Sequence, residues 1–289
     1  ERQLKFLRVW AADWRDAEMK AVLSQTIFCG GAHLHGSHEN RILADLDSNG
    51  WPQSGRNQAL AEMRKAFALH IAGDQHLGTV MQHGIEDWDD AGYSFCVPSI
   101  ANLYLRWWAP LTPGRNRRPD QPEYTGQNVD GFGNKITVWA VANPSPEANH
   151  DKLTTRAAGF GIVRFNKPQR TIAMECWPRN VDITAAGAKP YPGWPVTIRQ
   201  TDNDGRRAAA YLPVLKVSGM DDPVVQVVDE SNGEIQYTLR IKGREFRPRV
   251  FHAGSYTIRV GDQGQRTREF TKVRSVPEGD AAELRVRFD

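Results

Sequence analysis

Two short stretches of this chain concentrate side chains able to hold a metal or move a proton. In Gly73-Asp74-Gln75-His76 a carboxylate and an imidazole stand two residues apart. Both are ligands for divalent or trivalent metals, and the preceding glycine lets the backbone turn sharply so that they can aim at one point. A helix cap at Asp74 with an incidental histidine would leave the same four letters. In His33-Leu34-His35-Gly36-Ser37-His38 three histidines fall within six residues. They could bind a metal or protonate a leaving group, and they could equally belong to a solvated loop. A third stretch, Asp202-Asn203-Asp204-Gly205, begins like a calcium loop but lacks the distal Glu of an EF-hand loop, and it reads as a β-turn.

The elements around these residues decide whether they can meet. The chain opens directly into an amphipathic helix, with Leu4, Leu7, Ala11 and Trp14 on one stripe and no signal peptide before it; the sequence reads as beginning within a domain. Ala21–Leu23 then form an apolar run ending in Ser24-Gln25-Thr26, a buried strand. After the His-rich loop and the turn at Asp47–Pro52, Ser54 is placed to cap a helix reaching about Phe67, with Leu60, Met63 and Phe67 on one face. Leu69–Ala72 and Tyr93–Val97 read as further strands. Strand, helix, strand with polar residues beyond the strand ends is α/β logic, in which chemistry gathers at the carboxyl ends of the strands. Gln25, Asp74 and His76 all stand at such ends.

Lys135–Ala142, Gly159–Phe165 and Thr171–Cys176 follow as strands. The Pro-rich stretch from Trp177 to Trp194 is the best domain boundary. From Val196 onward short alternating runs recur, separated by turn signals that include Asn232-Gly233, a strong hairpin dipeptide. The expected organisation is an α/β part over residues 1–180, a linker over 181–194 and an all-β sandwich over 195–289 that folds as a separate unit.

Composition narrows the function classes. The 289 residues are 40% hydrophobic and 25% charged, a globular composition, with a formal net charge of +3. Basic residues are interleaved with acidic ones along the chain, where a nucleic-acid binder concentrates them on one face, so no nucleic acid is expected as a partner. No stretch approaches the ~20 apolar residues of a membrane span. Cys29, Cys96 and Cys176 are too few and too widely spaced for a disulfide framework or a zinc ribbon; buried thiols are expected, with one disulfide as the alternative.

Four stretches, in order, resemble the last part of the phosphatase domain in the alkaline phosphatase D family of calcineurin-like metallophosphoesterases. They are Leu23-Ser24-Gln25; Asn49-Gly50-Trp51-Pro52 with Arg56; Gly73 to His76; and Tyr93-Ser94-Phe95-Cys96-Val97-Pro98-Ser99-Ile100, with the strand pair Gly159–Val163 and Thr171–Glu175 closing the match. The resemblance covers roughly residues 1–180. It implies an α/β metallophosphoesterase sheet with flanking helices and a secreted hydrolase of phosphomonoesters and phosphodiesters. It also implies a multi-metal centre of calcium with iron or another transition metal, where a hydroxide attacks phosphorus. The substrate would be a small-molecule or lipid phosphate ester.

Carried onto this sequence, the resemblance makes Asp74 and His76 metal ligands, places Gln25 near a position usually held by a ligand histidine, and sets Gln25 and Asn49 at the substrate. His33 is a further candidate ligand, and His76 or His35 a candidate proton donor to the leaving alkoxide. The superfamily's earlier ligand motifs do not occur before Gly73, so the expected site is incomplete within this chain. Two other functions fit the same residues: a degenerate phosphatase fold used for binding or adhesion, and a zinc hydrolase of another class built on His33 and His35, which would need a third ligand and an open position.

Overall fold

The structure is a computed structural model that describes residues 1–101, 104–148 and 155–288. Its first sheet grows from short apolar strands around two helices. In chain order these are α1 (Arg2–Ala12), β1 (Ala21–Thr26), β2 (Leu34–His35), α2 (Gln53–Arg64), β3 (Leu69–Gly73), β4 (Thr79–His83), β5 (Tyr93–Cys96), β6 (Arg106–Trp107), β7 (Gly126–Val129) and β8 (Lys135–Val141). Six of the strands form one sheet in the order β1-β3-β5-β4-β8-β7. β1, β3 and β5 run parallel; β4, β8 and β7 are added antiparallel. Parallel pairing sets the carboxyl ends of β1 and β3 side by side, with Thr26 opposite Gly73. β2 and β6 form a separate two-stranded ribbon.

Alternation along the strands gives the sheet two differently covered faces. On one face α1 and α2 pack through Leu60, Met63, Ala11 and Ala66, with Val22 of β1 beneath them. On the other, Leu69, Val80, Phe95 and Ala140 pack against Ile172, Met174 and Ile198. Those last three belong to a second sheet built of β9 (Gly159–Asn166), β10 (Thr171–Pro178) and β11 (Val196–Arg199), in the order β11-β10-β9. The strand over 196–199, read from sequence as the start of the C-terminal part, thus pairs with β10, from Thr171 opposite Arg199 to Met174 opposite Val196.

The remaining strands are β12 (Ala210–Tyr211), β13 (Val214–Ser218), β14 (Val224–Asp229), β15 (Ile235–Arg240), β16 (Glu245–Phe246), β17 (Arg249–Val250), β18 (Ser255–Asp262), β19 (Arg266–Arg274) and β20 (Glu283–Arg287). A three-stranded sheet, β16-β13-β20, and a four-stranded sheet, β15-β14-β18-β19, share one core. Leu215, Val217 and Val286 come from the first, and Val225, Tyr237, Ile258 and Val260 from the second. Two side chains of the N-terminal part join this core. Trp14, just beyond α1, is fully buried in it, and Phe67 lies edge-on to Tyr237 with ring centroids 5.4 Å apart.

Most of the regular secondary structure among the described residues is therefore strand, in six sheets, with two α-helices. Local expectations met several physical competitors. α2 begins at Gln53 after Pro52, with no side-chain cap, so Ser54 lies inside the helix rather than ahead of it. The helix ends at Arg64, and Phe67 takes a left-handed backbone (φ 48°) that turns its ring into the C-terminal core. β4 was not anticipated, because its sequence, Thr-Val-Met-Gln-His, does not alternate and is buried at all five positions. All three cysteines are buried and free. No helix among the described residues is long and apolar enough to cross a membrane.

Candidate functional site

The Gly-Asp-x-His stretch leaves β3 in a tight turn. Asp74 (φ 66°) and His76 (φ 52°) both adopt the left-handed backbone that side chains other than glycine rarely occupy. Between them Gln75 is buried and fixes the turn: its backbone N–H donates to Gly73 O at 2.8 Å and its Nε2 to Thr26 Oγ1 at 3.2 Å. With Gln75 held inside, Asp74 is turned out to solvent, where Gln25 Nε2 donates to Asp74 Oδ2 at 3.3 Å. His76 is half-buried, its Nδ1 3.2 Å from Tyr104 O and its ring edge-on to Tyr104. The strand ends thus bring Gln25 and Asp74 together, with His76 two residues further along the same turn.

The residues that hold this corner were not singled out by sequence. Arg106 Nη1 donates to Gln75 Oε1 at 3.3 Å and to Asp45 Oδ2 at 2.5 Å, and both members of the ion pair are buried. Arg106 stands opposite His35 in the β2–β6 ribbon. His35 is buried with Nε2 lacking a partner; burial, and then the neighbouring Arg106 charge, hold its pKa below the usual value. His33 is buried and stacked on Trp108 at 4.1 Å, with Nδ1 lacking a partner, and burial lowers its pKa to about 4. Burial thus disfavours the protonated form of both imidazoles, which works against either as the proton donor to a leaving group. Asn49 is tied to the end of β1: its backbone N–H donates to Ile27 O at 2.9 Å and its Nδ2 to Thr26 O at 3.2 Å.

A second polar cluster lies between the sheet and α2. Ser24 Oγ is 2.7 Å from His70 Nε2, His70 Nδ1 is 2.6 Å from Ser94 Oγ, Ser94 Oγ is 2.5 Å from His83 Nε2, and Arg56 Nη2 is 3.4 Å from His83 Nδ1. Serine next to histidine next to a third polar group is the arrangement of an activated nucleophile. The direction of the protons decides against it. Arginine only donates, so His83 Nδ1 accepts and its Nε2 carries the hydrogen. Ser94 Oγ accepts that hydrogen and donates its own to His70 Nδ1, which leaves the His70 proton on Nε2, pointing at Ser24. Ser24 in turn donates to Thr26 O at 2.6 Å. His70 donates to Ser24 and cannot take its proton while Arg56 stays in place. Arg56 is anchored by Phe28 O at 2.8 Å and Gly84 O at 2.7 Å. The cluster is a structural latch between α2 and the sheet.

The metal centre implied by the resemblance needs several donors aimed at one point. Among the described residues no group of three or more His, Cys, Asp or Glu side chains could hold a metal ion. Asp74 has an amide as its neighbour rather than a second carboxylate or an imidazole. The residues described do not by themselves fit a metal pair, and the His33–His35 ribbon does not fit a three-ligand zinc site. Comparison with protein-family models, with curated proteins and with solved structures finds no match to this chain.

Proposed function

We propose that this chain carries one corner of a phosphoric-ester hydrolase site, made by Asp74, His76 and Gln25 at the carboxyl ends of β3 and β1, and that the remaining metal donors come from outside the described residues. The observation that carries this reading is the backbone of the Gly-Asp-x-His turn. Two non-glycine residues held in the left-handed region cost of order 1–3 kcal/mol each, and such strain collects at functional sites. Here it turns an exposed carboxylate toward Gln25, with the His76 imidazole two residues further along the same turn and set against Tyr104. In this reading Asp74 and His76 would hold a metal, and metals bound there would supply an activated hydroxide and positive charge for phosphoryl transfer. The Gln25 amide orients Asp74, and the buried Gln75–Arg106–Asp45 chain keeps the turn from relaxing. The α/β metallophosphoesterase architecture belongs to the same proposal. Its support is the parallel β1-β3-β5 core with helices on one face.

The test is turnover of bis(4-nitrophenyl) phosphate in calcium plus iron, by this chain and by the product of its native reading frame. The expected result is metal-dependent turnover by the latter, cut about 100-fold or more by Asp74→Ala and by His76→Ala, and little by the chain alone. Equal turnover by both would show the site to be complete here. Turnover indifferent to Asp74→Ala would remove Asp74 from the site. A second reading, a non-catalytic phosphatase-like fold used for binding, is favoured by the amide at Gln25 and the missing third donor. It predicts retention of a phosphate ester without turnover in both proteins.

A further inference from the structure

A cavity of about 480 Å³ lies between the sheet face that carries β5 and β8, the loop over 116–121 and the chain entering β11. It is at the amino end of β5, whereas Asp74 lies beyond the carboxyl end of β3, which runs parallel to β5. It is independent of the site proposed above. Its floor is Thr137 and Trp139, two residues apart on β8 and so on one face, with Tyr93 of β5 beside them and ring centroids of Tyr93 and Trp139 5.8 Å apart. Thr137 is 8% exposed and its Oγ1 has no partner; the Trp139 Nε1 is buried and has none either. Buried donors are nearly always satisfied; both atoms are closed to water here, and a ligand reaches them by turning the Thr137 hydroxyl or the indole edge into the cavity.

The rim supplies charge. Arg117 and Arg118 both line the cavity, and the Arg118 guanidinium lies over the Trp139 ring at 5.1 Å. Neither guanidinium takes part in an ion pair among the described residues. Asp202 is the one carboxylate in the lining, and it already accepts the Arg199 backbone N–H at 2.8 Å. The balance is net positive, with hydrogen-bond donors on the floor, an acceptor at one side and two aromatic faces.

We propose that this cavity binds a small hydroxylated anion of sugar-phosphate or sugar-acid size. The anionic group would pair with Arg117 and Arg118. The hydroxyl-bearing body would lie against Trp139 and Tyr93, accept from Thr137 Oγ1 and Trp139 Nε1, and donate to Asp202. The volume suits such a ligand, which falls in the usual range for small-molecule sites. A bare inorganic ion would fill only a small part of it, and an apolar ligand would leave the floor donors unsatisfied.

The experiment is calorimetric titration of the whole chain with glucose 6-phosphate, glucuronate, glucose and inorganic phosphate. Expected is binding of glucose 6-phosphate or glucuronate at least about tenfold tighter than of glucose or phosphate alone, since a charge-assisted guanidinium contact is worth that much or more. Whichever of the two binds identifies the anion. Arg117→Ala/Arg118→Ala, on a surface loop, should lose that affinity while keeping the melting temperature of the parent. Thr137→Val, which keeps shape and removes the donor, should weaken binding severalfold. Binding of neither anion, binding of glucose as tight as that of its charged derivatives, or full affinity in the folded double variant would each overturn the proposal.

Discussion

At the scale of single residues, the corner around Asp74 depends on charges that sequence spacing does not reveal. Asp45 and Arg106 are 61 residues apart, yet they make a buried ion pair on which Gln75 rests. Replacing Arg106 by Leu strands a buried carboxylate, and urea unfolding should show a loss of about 3–5 kcal/mol. The same loss should not follow Arg244→Leu, because Arg244 and its partner Asp221 are both exposed. The latch under α2 predicts a pH dependence. Burial, above all, holds His70 down to about 3 and His83 well below its usual value, with Arg56 and then His70 adding to the effect on His83. Asp90, Asp130 and Cys29 are the other ionisable groups that act on Arg56. A histidine whose folded pKa is depressed binds fewer protons folded than unfolded. Stability is then full above about pH 6.5 and falls as the pH drops toward 3, by at most about 1.4 kcal/mol per pH unit for each such group. Urea titrations at pH 7.5, 6 and 5 should follow that slope, and a flat profile would mean that the imidazoles are reached by water. Ser94→Ala removes the donor to His70 and the acceptor for His83 together, and should cost about 1–3 kcal/mol.

At the scale of elements, much was legible from period alone. Strands such as β10 and β13 were readable as runs bounded by turns, because one face of each is buried and side chains alternate. β4 was not, since a strand buried on both faces loses that alternation. The convergence of Gln25 and Asp74 followed from α/β logic, since parallel neighbours end together. The latch did not, because Ser24, His70 and Ser94 become neighbours only through the register of three strands, Val22 opposite His70 and His70 opposite Ser94. The same sheet leaves β1 at its edge, with Leu23 76% exposed and Phe6 and Val9 of α1 exposed as well. An uncovered edge strand with an apolar outward residue is a template for pairing with another chain. Leu23→Lys should therefore lower self-association in light scattering while changing stability by no more than about 0.5 kcal/mol. Unchanged scattering would mean that the edge is not the sticky surface.

For the whole molecule, the decisive links are those between the N-terminal part and the C-terminal core, and no local pattern announces them. Trp14 fits the helical stripe of α1, but the structure sends it past the helix end into the core of the later strands. Its backbone N–H donates to Gln263 Oε1 at 2.6 Å, and Arg240 donates to Trp14 O and Ala17 O at 3.1 and 2.7 Å. Lys65 O accepts from Thr238 N–H at 2.9 Å, and β11 is paired to β10. These links predict one cooperative unfolding transition, with Trp14→Ala costing about 3–5 kcal/mol and no stable fragment released by proteolysis near Pro190. Two separate transitions would show that residues after 195 stand alone, as the change of sequence pattern there suggests. The three free thiols give a further means of watching this. Cys29 and Cys96 lie in the core beneath the helices' side of the first sheet, and Cys176 lies on the opposite face against β10's neighbours. Sealed from solvent, with burial raising the Cys96 thiol to about 12, they are silent toward a thiol reagent until the chain opens. Each is then a clock, two of them set in one layer and the third in the other, and the order in which they begin to react is a record of which layer parts first.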